Sequence, residues 1–142
     1  MEEQLFTQFE TMGLPADARE WLVDLWRVIQ VIDDATDGDP IPRVRASQAT
    51  WAIFARMPLN RFYQSCMSTL QPLLVMQLIK WEAANQAEAD GQADERSFMW
   101  RAGYYDIVAM ACHLTGCKPL SALQMYGETF AEYREEFPCQ TL

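Results

Sequence analysis

Glycine and proline punctuate this chain at intervals that leave room for helices and little else. Between Gly13 and Gly38, Trp21, Leu22, Leu25, Val28, Ile29 and Ile32 recur at i, i+1, i+4, i+7, i+8 and i+11. That is the apolar stripe of one amphipathic helix. Pro15 stands where the first turn of a helix tolerates it, and Gly38, Pro40 and Pro42 demand a stop. No segment alternates apolar and polar residues between turn formers, as a half-buried strand would.

The same reasoning extends along the chain. A short helix over about residues 3–11 precedes Gly13. Ser47 is a candidate cap for a short third helix through Trp51 and Phe54, closed by Pro58. A long helical region over about 60–89 contains Pro72, which is expected to kink or divide it. Its buried side is expected to be Phe62, Cys66, Leu70, Leu73, Leu74, Leu78 and Trp81. Asp94 suits an N-cap for a helix carrying Phe98, Ala102, Tyr105, Ala109 and Cys112, which Gly116 ends. A last helix from Pro119 turns Leu120, Leu123, Tyr126, Phe130, Tyr133 and Phe137 inward. The expectation is an all-α fold: one domain over residues 1–142, a helical bundle of five to seven helices.

Half of the 142 residues are hydrophobic and five are tryptophan, enough for a packed core and too many for a disordered chain. A formal charge of −9 argues against nucleic acid and anionic membranes and favours a cationic protein partner or metal ions. The acidic start "MEEQLFTQFE" has no secretory pattern, and "LQPLLVMQLIKW" falls short of a membrane span. The expected location is the cytoplasm. Cys66, Cys112, Cys117 and Cys139 lack paired C-x-x-C spacing and read as ordinary thiols. Cys112, His113, Cys117 and Cys139 match no zinc-finger or ribbon pattern.

The sharpest chemical signal is "DDATDGDPIPRVR". Asp33 and Asp37 share one side of a helix, with Asp34 beside them, at a terminus whose dipole disfavours acids by roughly 0.3–1 kcal/mol each. A solvated helix stop is one reading, since Asp, Gly and Pro all form turns. The other is a hard oxygen site for Mg²⁺ or Mn²⁺ acting on a phosphorylated or diphosphate compound. An EF-hand is excluded, because Ala35 and Val44 fall at ligand positions. Asp106, in the apolar "AGYYDIVAMACHL", is the candidate extra ligand; otherwise it pairs with Arg101 or Arg27 to order the core. His113, seven residues on, reads as structural. Glu82 and Glu88 have the wrong spacing for the acidic pairs of an all-α pyrophosphatase.

The aspartate-rich segment resembles the first DDxxD motif of trans-isoprenyl diphosphate synthases, although Val44 separates its two arginines and no second motif follows. The resemblance implies Asp33, Asp34 and Asp37 as metal ligands and Arg43 and Arg45 as phosphate contacts. On a larger scale, "LQPLLVMQLIKWEAANQAE", "MWRAGYYDIVAM" and "MYGETFAEYREEF", together with "DDATDGD", resemble small helical proteins of tailed bacteriophages and prophages. That likeness spans about Trp21 to Phe137 and implies a bacterial host's cytoplasm or a virion, with no activity to carry over.

Glu128, Glu132 and Glu136 repeat every four residues on the last expected helix, next to Glu135. They form either a solvated face or a contact surface for a basic protein. With no nucleophile elbow, glycine-rich phosphate loop or Cys–His signature, the expected function is that of an acidic, non-enzymatic interaction protein that binds a host or phage protein. Self-association is a further expectation.

Overall fold

The structure is a computed structural model that describes residues 2–125 and 128–138, every regular element of which is helical. In order these are α1 (Glu2–Met12), α2 (Ala16–Asp37), α3 (Arg43–Trp51), a π-helical turn (Ala52–Arg56), α4 (Met57–Leu59), α5 (Arg61–Ala89), α6 (Glu95–Arg101), α7 (Gly103–Thr115), α8 (Pro119–Leu123) and α9 (Phe130–Glu136). Because α3, the π turn and α4 form one continuous rod, the described residues contain eight helices, above the expected five to seven. The surplus comes from two expected helices that are each divided: the one carrying Phe98 to Cys112 is α6 and α7, and in the last one α8 stops at Leu123 and α9 begins after Thr129. Tyr126 lies outside the described residues.

These residues cluster into two compact units, one within Met1–Met67 and Leu114–Cys117, the other within Ser68–His113 and Lys118–Leu142. The core of the first is built on α2, where Trp21, Leu22, Leu25 and Val28 of the stripe are buried. Trp21 lies parallel to Tyr63 with ring centroids 5.6 Å apart and meets Phe62 edge-on at 6.2 Å. Its indole Nε1 has no hydrogen-bond partner, a cost of about 1–3 kcal/mol that the aromatic packing outweighs. The stripe runs out before the helix does: Ile32 is exposed.

Pro15 holds the N-cap position of α2 rather than the first turn, and Pro42 does the same for α3. Ser47 therefore lies inside α3 and caps nothing. Gly38 ends α2 at φ 77°, where a side chain would be strained, and the N–H groups of Gly38 and Asp39 close the helix onto Ala35 O and Asp34 O. Helix α5 runs through Pro72 without a break. The carbonyl of Ser68 loses its helical donor there, but both residues are exposed, so water can take its place.

In the second unit Asp94 caps α6, as its sequence position suggests, accepting from the N–H groups of Arg96 (2.9 Å) and Ser97 (3.2 Å). Ala102 separates α6 from α7, which opens on Gly103, and a Cβ at Gly103 would meet Gln77 Cγ of α5 at 3.0 Å. Only the absence of a side chain permits that approach. Along the expected buried side of α5, Phe62 and Leu70 are buried, Cys66, Leu73, Leu74 and Trp81 half-buried, and Leu78 exposed.

Trp21→Ala is expected to destabilise the protein by about 3–5 kcal/mol, the range for emptying a large aromatic site. Urea unfolding followed by circular dichroism measures it, and a loss under about 1 kcal/mol would mean that Trp21 is not central to the first unit.

Candidate functional site

The acids at the end of α2 are answered by an arginine. Asp34 Oδ2 accepts from Arg45 Nη1 at 2.8 Å across the Gly38–Pro42 turn. Both side chains are about one-third exposed, so the pair contributes on the order of 1 kcal/mol or less. It nevertheless offsets the conflict between acids and helix end. Asp33 is half-buried, and Asp37 and Arg43 are exposed.

Asp106 pairs with Lys80 at 3.1 Å, and its side chain is about half exposed, not buried as its apolar neighbours suggest. The partners expected for it are engaged elsewhere: Arg101 on Glu88 (2.7 Å) and Asn85 (3.0 Å), Arg27 on Glu2 and Asp24. His113 is exposed, on the outward side that Asp106 also occupies. Among the described residues no three His, Cys, Asp or Glu side chains come together as a metal site. None of Asp33, Asp34, Asp37 and Asp106 belongs to such a group among the described residues. Cys66, Cys112 and Cys117 are in no disulfide among the described residues, and Cys139 lies outside them.

Two buried polar networks went unforeseen. In the first unit Asp24, buried on α2, accepts from Arg56 Nη2 at 2.9 Å and Arg56 Nε at 3.1 Å. Arg56 also donates to Gln48 O at 3.2 Å, and Arg27 reaches Asp24 at 3.5 Å. Arg27 and Glu2 are paired as well. That hydrogen bond is the main reason the Glu2 carboxyl is held below its ordinary pKa. An open cleft of about 560 Å³ lies alongside, lined by Phe6, Asp24, Arg27, Arg56, Asn60 and Arg61 among others. Two of its three arginines are already committed to carboxylates.

In the second unit Glu88, from the end of α5, takes Arg101 on one oxygen and the Tyr133 hydroxyl, at 2.8 Å, on the other. The buried Ser97 hydroxyl lies 2.6 Å from the same phenol oxygen. Phe98, Phe130 and Phe137 surround the fully buried Tyr133 ring at centroid distances of 5.3–6.4 Å. Burial, together with the Glu88 carboxylate, raises the Tyr133 phenol well above its ordinary pKa. This network ties α5, α6 and α9 together. Its only signal in the sequence is the S-x-x-W-R run from Ser97 to Arg101, too weak to single out.

The acidic trio is reduced. Glu128 precedes the N-cap Thr129 and so is not on the helix. Glu132 is the N3 partner in a capping box, its carboxylate accepting from Thr129 N–H at 3.2 Å. Glu135 and Glu136 project from α9 into solvent.

The largest departure from expectation is where the charge is absent. Between Asp39 and Glu82 there is no acidic residue, only Arg43, Arg45, Arg56, Arg61 and Lys80. From Phe62 to Ile79, α5 carries no charge at all, yet Met67, Val75, Met76, Leu78 and Ile79 are about half exposed. The rod 43–59 shows the same inversion: Ala49 and Ala52 face inward, while Val44, Trp51, Phe54 and Leu59 face solvent.

The fold defines the protein as an all-α chain and goes no further toward a family. Comparison with protein-family models, with curated proteins and with solved structures finds no match to this chain.

Folding raises the pKa of the Tyr133 phenol, so its stabilisation is intact below the unfolded value near pH 10 and is lost as pH rises beyond it. Tyr104, buried and shifted the same way, adds to this. Stability is expected to fall above about pH 10 by up to roughly 1.4 kcal/mol per pH unit for each such phenol. Tyr133→Phe should make the fall shallower. An unchanged slope in denaturant titrations across that range would remove Tyr133 from the account.

Proposed function

We propose that the protein is a non-enzymatic interaction protein, a single helical bundle that docks a protein partner in a bacteriophage or prophage setting. The observation that supports this reading most is the uncharged α5 segment, whose Val75, Met76, Leu78 and Ile79 stay half exposed within the second unit. Surface apolar groups gathered along one helix are the usual mark of a contact surface. Glu135 and Glu136 of α9 belong to the same unit, with Glu128 and Glu132 beside them. The partner that fits is a protein presenting apolar side chains beside lysines or arginines. The sequence resemblance supplies the setting, with a bacterial host's cytoplasm or a virion as the place. No described helix is long and apolar enough to cross a membrane.

The test compares pull-downs from phage-infected bacteria using the parent protein, Val75→Glu/Ile79→Glu, and Glu128→Lys/Glu135→Lys/Glu136→Lys. Glu132 is left intact because it caps α9. A partner retained by the parent is expected to be lost with the first variant and weakened roughly tenfold or more with the second. Retention by both variants overturns the proposed surface. Calorimetry with Mg²⁺ and Mn²⁺ tests the non-enzymatic part: heat that disappears in Asp33→Asn/Asp37→Asn would favour a metal-dependent enzyme instead.

A further inference from the structure

One tryptophan of α2 stands off the buried stripe. Trp26 is half-buried, yet among the described residues its indole stacks on no other ring, and its N–H has no hydrogen-bond partner. Gln30, four residues on, shares its side of the helix, and the Gln30 amide makes no hydrogen bond either. Both line a cleft of about 310 Å³ in the first unit, with Glu2 of α1 and with Arg45 and Gln48 of α3. Arg45 and Gln48 are three residues apart, so they too share one side of their helix. The Gln48 side-chain amide is likewise uncommitted; only its backbone carbonyl is used, by Arg56. Val31 joins the lining from the core cluster of Val28, Ala49 and Ala52.

The charges of this lining are already answered. Arg27 pairs with Glu2 and Asp24, and Arg45 with Asp34 at 2.8 Å. An entering anion would compete with those carboxylates, and an entering cation with those arginines. What the cleft still offers is neutral: an open indole face, its N–H, and two amides that each donate and accept. The arginines add the N–H groups that their ion pairs leave over. We propose that the cleft binds one neutral pyranose ring. The C–H face of the sugar lies on the Trp26 indole, where its weakly positive hydrogens meet the negative face of the π system. Its hydroxyls exchange hydrogen bonds with Gln30 from α2 and with Gln48 and Arg45 from α3. Hydroxyls radiate from a pyranose and each both donates and accepts, which suits partners arriving from two helices. A nucleobase stacks as well, but its fixed donor and acceptor pattern lies along one edge, and a nucleotide's phosphate finds no unpaired cation here.

Size and rigidity agree with this occupant. The cleft's volume of about 310 Å³ lies at the lower end of small-molecule pockets, roughly 300–1,000 Å³, and suits a single ring with its hydroxyls. Its walls are set in advance. The Asp34–Arg45 and Asp24–Arg56 pairs, at 2.8 and 2.9 Å, tie α2 to the rod that α3 begins, so binding need not order them. The cleft belongs to the first unit and the α5 docking surface to the second, and the two stand or fall separately.

Saturation-transfer NMR on the full chain, with circular dichroism to verify folding, tests the inference. The probes are glucose, galactose, mannose and N-acetylglucosamine, each as the free sugar and as its methyl glycoside, with adenosine for comparison. At least one sugar is expected to bind with a Kd on the order of 1 mM. That Kd should stay the same between about 50 and about 500 mM NaCl, because no net charge takes part. Trp26→Ala is expected to weaken binding roughly tenfold or more. Gln30→Ala/Gln48→Ala, which removes no hydrogen bond of the free protein, is expected to weaken it roughly tenfold. Trp51→Ala, on the exposed side of the rod, should leave it unchanged. A methyl glycoside that binds as well as the free sugar or better assigns the ring to the end of a glycan, and one that binds worse assigns it to a free sugar. No saturation by any sugar at about 10 mM overturns the proposal. So does a sugar signal indifferent to either cleft variant in folded form, a signal lost with Trp51→Ala instead, or a Kd that moves several-fold with salt. Binding of adenosine alone overturns it as well, since that assigns the indole to a base.

Discussion

The first unit is organised around a carboxylate that cannot be left alone. Asp24 is buried on α2, the helix that supplies the most buried side chains of the unit, and an unpaired charge there would cost several kcal/mol. Arg56 meets it with two nitrogens, and the π turn that ends at Arg56 is part of how the rod presents that side chain while its guanidinium also reaches back to Gln48 O. Asp34 and Arg45 make a second tie nearer the Gly38 turn. Between these two ionic ties only small apolar groups need fit, and Ala49 and Ala52 are what the rod supplies. Large residues are then left for the other side. The exposed aromatics of the rod follow from how it is held.

The second unit solves the same problem with an ion pair and a phenol. Glu88 is almost as buried as Asp24, but it is satisfied by Arg101 and by a phenol that is itself held by Ser97. The cluster of Phe98, Phe130, Tyr133 and Phe137 closes around the hydroxyl. Tertiary structure here depends on polar atoms enclosed by rings, and it fixes the short α9, whose seven residues could not persist as an isolated helix.

Local signals in the sequence proved dependable at Gly38 and Asp94, though not at Ser47, which lies inside α3. Gly38 stops α2 because a left-handed residue is needed there, and Asp94 caps α6 because its carboxylate reaches the next N–H groups. Pro72 misleads, since the cost of a proline in a helix falls when water can satisfy the orphaned carbonyl, and exposure is a property of the fold. Asp106 misleads for the opposite reason: apolar neighbours in sequence occupy the other sides of α7, and Lys80 is 26 positions away. The Asp24–Arg56 and Glu88–Tyr133 contacts span 32 and 45 positions, beyond the reach of any spacing rule. The aspartates near Gly38 drew attention because acids at a helix end need an explanation, and an arginine eight residues beyond the last of the DDxxD residues supplies one without a metal.

Net charge is a statement about the whole chain, whereas recognition happens on patches a few residues across. The −9 total hides a window from Pro40 to Trp81 with five basic residues and no acidic ones, and that window carries most of the exposed large apolar side chains. The acids on either side of that window repel those of a second copy. Repulsion of that kind weakens over a Debye length, about 8 Å at physiological salt, so it resists loose aggregation more than close contact at an uncharged surface. A face that is apolar, free of acids and set within an acidic protein can therefore be selective: it excludes indiscriminate association at a distance and admits a partner whose shape lets it come near.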